Sequence, residues 1–210
     1  MRNKMNYIKF RDCFKDFTIF SLSDILQFDP DFHRRRLNDW QDKGYIKKVI
    51  KGFYIFSDLV LDENALYTIS NRLYKPSYVS LESALSYYHL IPESVYGITS
   101  VSTRRTYIHM TSLAEFSYRT VRPVLYFGYI IQAHNNRTFK IAKPEKAILD
   151  FFYSNPHLKN KDDFKSLRVN PEQFFETVNI KTLLDYQEKF EQKTLKDRIS
   201  HFLDFMKCEK

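Results

Sequence analysis

Residues 31–56, DFHRRRLNDWQDKGYIKKVIKGFYIF, limit the possible folds more than any other stretch of the chain. Pro30 punctuates a turn, and Asp31 is placed to cap a short basic helix. Leu37 and Trp40 are three residues apart and His33 precedes Leu37 by four, so these three share one helical face. At about 100° per residue, Arg35 and Asp42 point almost opposite to that face, with Asn38 beside them and Arg34 and Arg36 flanking the seam. A helix that buries Leu37 and Trp40 therefore presents Arg34, Arg35 and Asn38 outward. Gly44 suits the left-handed residue that ends a helix. Residues 45–50 and 53–56 are strand-like and meet around Lys51-Gly52, a hairpin carrying Lys47, Lys48 and Lys51. A basic helix followed by such a hairpin is the back half of a winged helix-turn-helix, a shape that lays one helix in a DNA groove.

The upstream sequence supplies the front half. Tyr7, Ile8, Phe10, Phe14 and Phe17 recur at steps of three and four, which predicts a helix over 4–16. Residues 18–20 form a short β-prone link, and Ser21 or Ser23 can cap a second helix running to Phe28, with Asp24 favourable in its first turn. Charge placement agrees. Residues 1–57 hold 12 Lys/Arg against 7 Asp/Glu, whereas the rest of the chain is close to balanced within a net charge of +8. A local basic excess attracts polyanions by long-range field and counterion release.

Further along, the chain predicts an α+β fold. Residues 58–75 look like a linker helix capped at Asn64 and ended by Pro76. Residues 80–89, SLESALSYYH, predict another helix. Residues 98–102, 106–110, 117–119, 125–133 and 138–142 are rich in β-branched and aromatic residues, with a turn at 134–137. Lys143-Pro144-Glu145 opens a helix in the favoured manner. Beyond 154 the pattern is helical, with starts at Asn170-Pro171 and at Asn179 or Thr182. A last amphipathic stripe runs through Leu195, Ile199, Phe202, Leu203 and Met206. Three regions follow: 1–57 as the winged helix, 58–155 as a mixed α/β domain, and 156–210 as a helical C-terminal tail.

The order of these pieces resembles the AbiEi family of antitoxins from abortive-infection toxin–antitoxin operons. It rests on YVSLESALSYYHLIPE at 78–93, ITSVSTRRT at 98–106 and FKIAKPEKAILDFFY at 139–153, and covers roughly residues 5–155. Its most specific element pairs a Y-x-S-x-x-S-A-L helix with a later A-x-P-E-K-A-[IL]-x-D helix. The resemblance implies that the winged helix binds inverted repeats in double-stranded DNA of its own promoter, as a repressor. It also implies that the rest counteracts a nucleotidyltransferase-like toxin. Residues Arg34, Arg35, Arg36, Asn38, Lys47, Lys48 and Lys51 are then the DNA-binding candidates. Arginine can chelate a guanine edge and asparagine an adenine edge, while wing lysines meet phosphates, which position without specifying.

Other chemistries find weaker footing. The six histidines are scattered, neither cysteine sits at metal-ligand spacing, and Walker, dinucleotide and nucleophile-elbow motifs are lacking, so no metal, no cofactor and no enzymatic activity are expected. Glu82, Glu145, Lys146 and Asp150 could belong to a metal nuclease, but Glu145 in a helix's first turn is stabilising without metal. Tyr87-Tyr88, Arg104-Arg105, Arg119 and Arg122 form an aromatic and basic series that could serve a toxin or nucleic acid surface, or be plain sheet surface. Apolar runs fall short of the roughly 20 residues a membrane span needs, and no signal sequence opens the chain, so a cytoplasmic protein with reduced Cys13 and Cys208 is expected. The competing reading is a winged-helix regulator whose C-terminal domain senses a ligand and has no toxin partner.

Overall fold

A computed structural model describes residues 5–92, 97–134 and 137–209. The first unit comprises α1 (Tyr7–Phe14), β1 (Phe20–Ser21), α2 (Leu22–Phe28), α3 (Arg35–Asp42), β2 (Ile46–Ile50) and β3 (Phe53–Phe56). Its three strands pair antiparallel in the order β1-β3-β2. Ser21 caps α2 through a reciprocal box with Asp24, one of the two caps the sequence offers. The core is aromatic. The Phe10 ring lies 4.5–5.5 Å from those of Phe14, Phe20, Trp40 and Phe56, in geometries that add to the burial of each ring. The helical stripe over 4–16 is only partly inward: Phe10 and Phe14 are fully buried, but Ile8 is 70% exposed.

The second unit is built on a six-stranded mixed sheet. Its strands are β4 (Ser77–Val79), β5 (Gly97–Ser102), β6 (Tyr107–Met110), β7 (Glu115–Thr120), β8 (Tyr129–His134) and β9 (Arg137–Ala142). Their order is β6-β7-β5-β4-β9-β8, with β4–β9 and β5–β7 parallel and the other pairs antiparallel. Gly97 lets β5 approach β7 closely, since a Cβ there would lie 2.8 Å from the Glu115 carbonyl oxygen. The central position of β4 is invisible to periodicity, because three residues are too short to show an alternation. The turn expected at 134–137 has its two middle residues outside the described residues.

Residues 58–75 do not form a linker. α4 (Glu63–Leu73) is capped by Asp62 rather than Asn64, with Ala65 N donating to Asp62 Oδ1 at 2.7 Å. It buries Tyr67, Ile69, Ser70 and Leu73 against β9, β4 and β5, so it is part of the core. α5 (Leu81–Tyr87) and α6 (Pro144–Ser154) pack against each other, and α5 lies against β5.

The C-terminal helices α7 (Lys161–Ser166), α8 (Pro171–Thr177), α9 (Ile180–Glu188) and α10 (Lys193–Cys208) join this same core. Asn160, Asn170 and Asn179 cap the first three, each side chain accepting a backbone N–H three residues on. α7 was not expected, being a six-residue helix. The α10 stripe is buried within the chain: the Phe202 ring lies 4.9–5.6 Å from those of Phe152, Phe164 and Phe174. The apolar cluster thus continues across residue 155 without a break. The two units meet through Ile19, Val49 and Ile55, which join the larger core, and through the Arg72–Asp24 ion pair and a bidentate Arg11–Asp58 pair. Cys13 and Cys208 are both free, and among the described residues no helix is long and apolar enough to cross a membrane.

Candidate nucleic-acid interface

α3 begins later than its sequence suggests. The chain after α2 makes tight three-residue turns, Phe32 N to Asp29 O and Arg36 N to His33 O, both 3.0 Å, before regular helix starts at Arg35. Asp31 therefore does not cap α3; Arg34 occupies that place with no side-chain cap bond. The turn also changes the phase. Phe32, not His33, lies beside Trp40, its ring 5.6 Å away, and His33 is exposed. Leu37 and Trp40 are buried as expected, at 1% and 6% exposure.

That burial leaves Arg34, Arg35 and Asn38 exposed along α3, with Asp39 and Asp42 also exposed on the helix. Arg36 departs from the expectation. It is half-buried, and its Nη1 donates to the Met5 carbonyl, tying the segment before α1 across the start of α3. It belongs to the packing of the unit and not to the outward set. Its partner lies 31 residues away in sequence, so helical geometry alone could not place it.

α3 ends as predicted. Gly44 adopts φ +70°, its N–H reaches Gln41 O at 2.8 Å, and Tyr45 N reaches Trp40 O at 2.9 Å. Tyr45 then stacks on Tyr7, with ring centroids 4.3 Å apart, which pins the passage from α3 into β2. On β2, Ile46 and Val49 are buried and Lys47 and Lys48 exposed. Two successive exposed lysines break strict alternation, and the pairing with β3 is irregular between Lys48 and Ile50. Lys51 is exposed in the turn beside Gly52, whose φ is +89°. Arg34, Arg35, Asn38, Lys47, Lys48 and Lys51 make no side-chain hydrogen bond or ion pair among the described residues. Their donors are available to a partner, and the arginine forks and asparagine amide have the geometry for base edges.

The carboxylates considered for a nuclease do not converge. Asp150 is fully buried, where its Oδ2 accepts from Tyr78 Oη at 2.9 Å and Ser80 Oγ at 2.8 Å, while its Oδ1 pairs with the equally buried Lys146 Nζ. Lys146 Nζ also lies 5.1–5.5 Å from the Phe190, Phe127 and Tyr78 ring centroids. Burial lowers the Lys146 pKa against the opposing pull of Asp150, and burial together with the neighbouring carboxylate raises that of Tyr78. Glu145 turns to another helix, accepting Asn179 N at 2.9 Å. Among the described residues no three His, Cys, Asp or Glu side chains gather as a metal site. The network joins the two motif pieces of the family resemblance, Tyr78 and Ser80 from one and Lys146 and Asp150 from the other. The four-residue spacing of Lys146 and Asp150 on one helix was the available signal for this pair.

The aromatic and basic series is dispersed in the same way. Arg104 lies 4.4 Å over the Tyr74 ring, Arg122 Nη2 donates to Phe190 O at 2.9 Å, and Tyr88 Oη donates to Ala142 O at 2.9 Å. Arg105 and Arg119 are exposed. The chain matches no family model and no curated protein.

Proposed function

We propose that this chain is a non-enzymatic cytoplasmic antitoxin whose first unit is a winged helix that binds and represses its own promoter. The observation that carries the DNA reading is the unpaired, exposed set on α3 and β2, held on an element order of helix, strand, two helices and a two-stranded hairpin. That order, with the first strand added beside the hairpin, is the one a winged helix requires. α3 would lie in the major groove with Arg35 and Asn38 at base edges, and Lys47, Lys48 and Lys51 would meet phosphates. Two copies on an inverted repeat would supply the symmetry of the operator.

Fluorescence anisotropy with a labelled fragment of the DNA upstream of the chain's own gene tests this reading. Binding is expected in the nanomolar to sub-micromolar range, weakening steeply with salt. A specific complex that survives Arg35→Ala and Asn38→Ala together would remove α3 from the recognition role.

The antitoxin part is supported by the family resemblance and by the shared buried network of its two motif pieces. Co-expression with the neighbouring gene is the direct test: a toxic nucleotidyltransferase relieved by the full chain would uphold it. The second reading, a ligand-sensing regulator, is favoured by a cleft between the two units, and a harmless neighbouring gene would leave that reading standing instead.

A further inference from the structure

A cleft of about 560 Å³ opens where the first unit meets the edge of the large sheet. Its volume lies within the roughly 300–1,000 Å³ usual for small-molecule sites. Phe17 and Ile19 wall it from the first unit, and Ile131 and Phe139 from β8 and β9. Asn71 of α4 and Ser77 of β4 line it as well. Asn71 Nδ2 and Ser77 Oγ are buried and have no hydrogen-bond partner, and Ser77 is only 3% exposed. The Asn71 amide is oriented, because its Oδ1 accepts from Lys140 N. A buried donor without a partner is costly, and a bound acceptor would offset that cost.

Charge sets the sign of that acceptor. Arg72, Lys75 and Lys140 all line the cleft, against Asp16. Arg72 is already paired with Asp24, which leaves Lys75 and Lys140, whose Nζ also lies 5.2 Å from the Tyr129 ring centroid, in excess over the exposed Asp16. Partial burial lowers the Lys75 pKa, and the positive Arg72 and Lys140 push the same way against Asp24, so an incoming anion would favour the charged ammonium.

We propose that this cleft binds a small aromatic phosphate of nucleoside-monophosphate size. Its phosphate would rest on Lys75 and Lys140 with the Asn71 amide as donor, and its ring would lie between Phe17 and Ile131. The inference is independent of the DNA and toxin readings, because it concerns binding to the chain alone.

Isothermal titration calorimetry of the full chain with AMP, GMP, CMP and UMP tests it, with adenosine and inorganic phosphate as fragment controls. At least one monophosphate should bind tenfold or more tightly than either fragment, since only the whole molecule uses both the cations and the apolar walls. Lys75→Glu and Ile131→Glu should each weaken that binding at least tenfold while circular dichroism and the melting midpoint stay as in the parent. Both positions are exposed, Ile131 at 67%, so neither charge is forced into the core. Amide chemical-shift changes on ligand addition should centre on residues 16–19, 71–77 and 138–140. Failure of all four monophosphates to bind, equal binding by both variants, or shift changes centred elsewhere would each overturn the proposal.

Discussion

Arg34, Arg35, Lys47, Lys48 and Lys51 of the first unit end in water, whereas Lys146, Arg104, Arg122 and Arg198 of the larger unit end on protein. Lys146 meets a carboxylate, Arg104 a tyrosine ring, and Arg122 a backbone carbonyl. Arg198 is 7% exposed and donates to the carbonyls of Phe152 and Asn155 at 2.8 and 3.0 Å. The residue types are the same and the consequences are opposite. A cation satisfied within the chain fixes a helix or a loop and has little left for a partner. An exposed, unpaired cation contributes little to the fold and keeps its full capacity for a polyanion. Charge counted from sequence therefore overstates the interaction surface wherever a cation ends on the chain itself, as Arg11 and Arg36 also do in the first unit, and is a fairer guide where it stays exposed, as at Arg34 and Arg35 in the first unit and Arg105 and Arg119 in the second.

The contrast is broken most sharply at Asp150. Asp150→Ala leaves the buried Lys146 ammonium without its partner, which should cost about 3–5 kcal/mol. For a chain of this size that lowers the thermal midpoint by roughly 6–20 °C, measurable by circular dichroism. A midpoint within about 2 °C of the parent would mean the network is not the internal brace described above. Next in size is Arg35→Ala. It should leave the midpoint unchanged but weaken binding to the upstream DNA by about 1–3 kcal/mol, with far less effect on unrelated DNA. Equal losses on both DNAs would reduce Arg35 to a phosphate contact. The two variants together test whether stability and DNA binding divide between buried, paired cations and exposed, unpaired ones.

What the sequence showed of this arrangement follows the range of the interactions. The Ser21 and Asp24 box, the Gly44 stop, Pro144 at a helix start, and the Asn170 and Asn179 caps are legible because each involves residues within one turn. β4 and α7 are illegible because three and six residues complete too little of any period. The burial of α4 was missed because its partners are strands far along the chain, and a stripe on a helix does not say what covers it. Arg36 and Asp150 failed for a related reason. Their partners, Met5 and Tyr78, are 31 and 72 residues away. His33 was misplaced by a local effect, since a tight turn before α3 rotated the phase that a continuous helix would have kept. The outward set survived that rotation because Leu37 and Trp40, inside the helix proper, fix its orientation.

Arg36 offers a finer test inside the first unit. Its two neighbours in the arginine run are exposed, and it alone is turned back to the Met5 carbonyl. Arg36→Ala should cost about 1–2 kcal/mol of stability through the lost charge-assisted bond, with base preference on the upstream DNA unchanged. A change of preference without a change in stability would return Arg36 to the DNA-contacting set.

The smallest effect is expected where the two units touch, at Asp24. Burial alone would raise its carboxyl pKa, but the hydrogen bonds from Arg72 and Ser21 outweigh it and hold the group below its ordinary value. The sign of the linkage follows. A carboxylate depressed in the folded state adds stability that is complete above its unfolded pKa of about 3.9, and that stability is lost as pH falls through the folded value. Asp24→Asn should therefore lower stability by about 1 kcal/mol or less at neutral pH, the gap to the parent closing as pH drops below about 4. Arg72→Gln should act the same way, since it removes the other half of the pair. Chemical denaturation of parent and variants between pH 3 and 7 would read this directly. A gap that stays constant across the range would mean that the Asp24 charge adds no stability, through either Ser21 or Arg72.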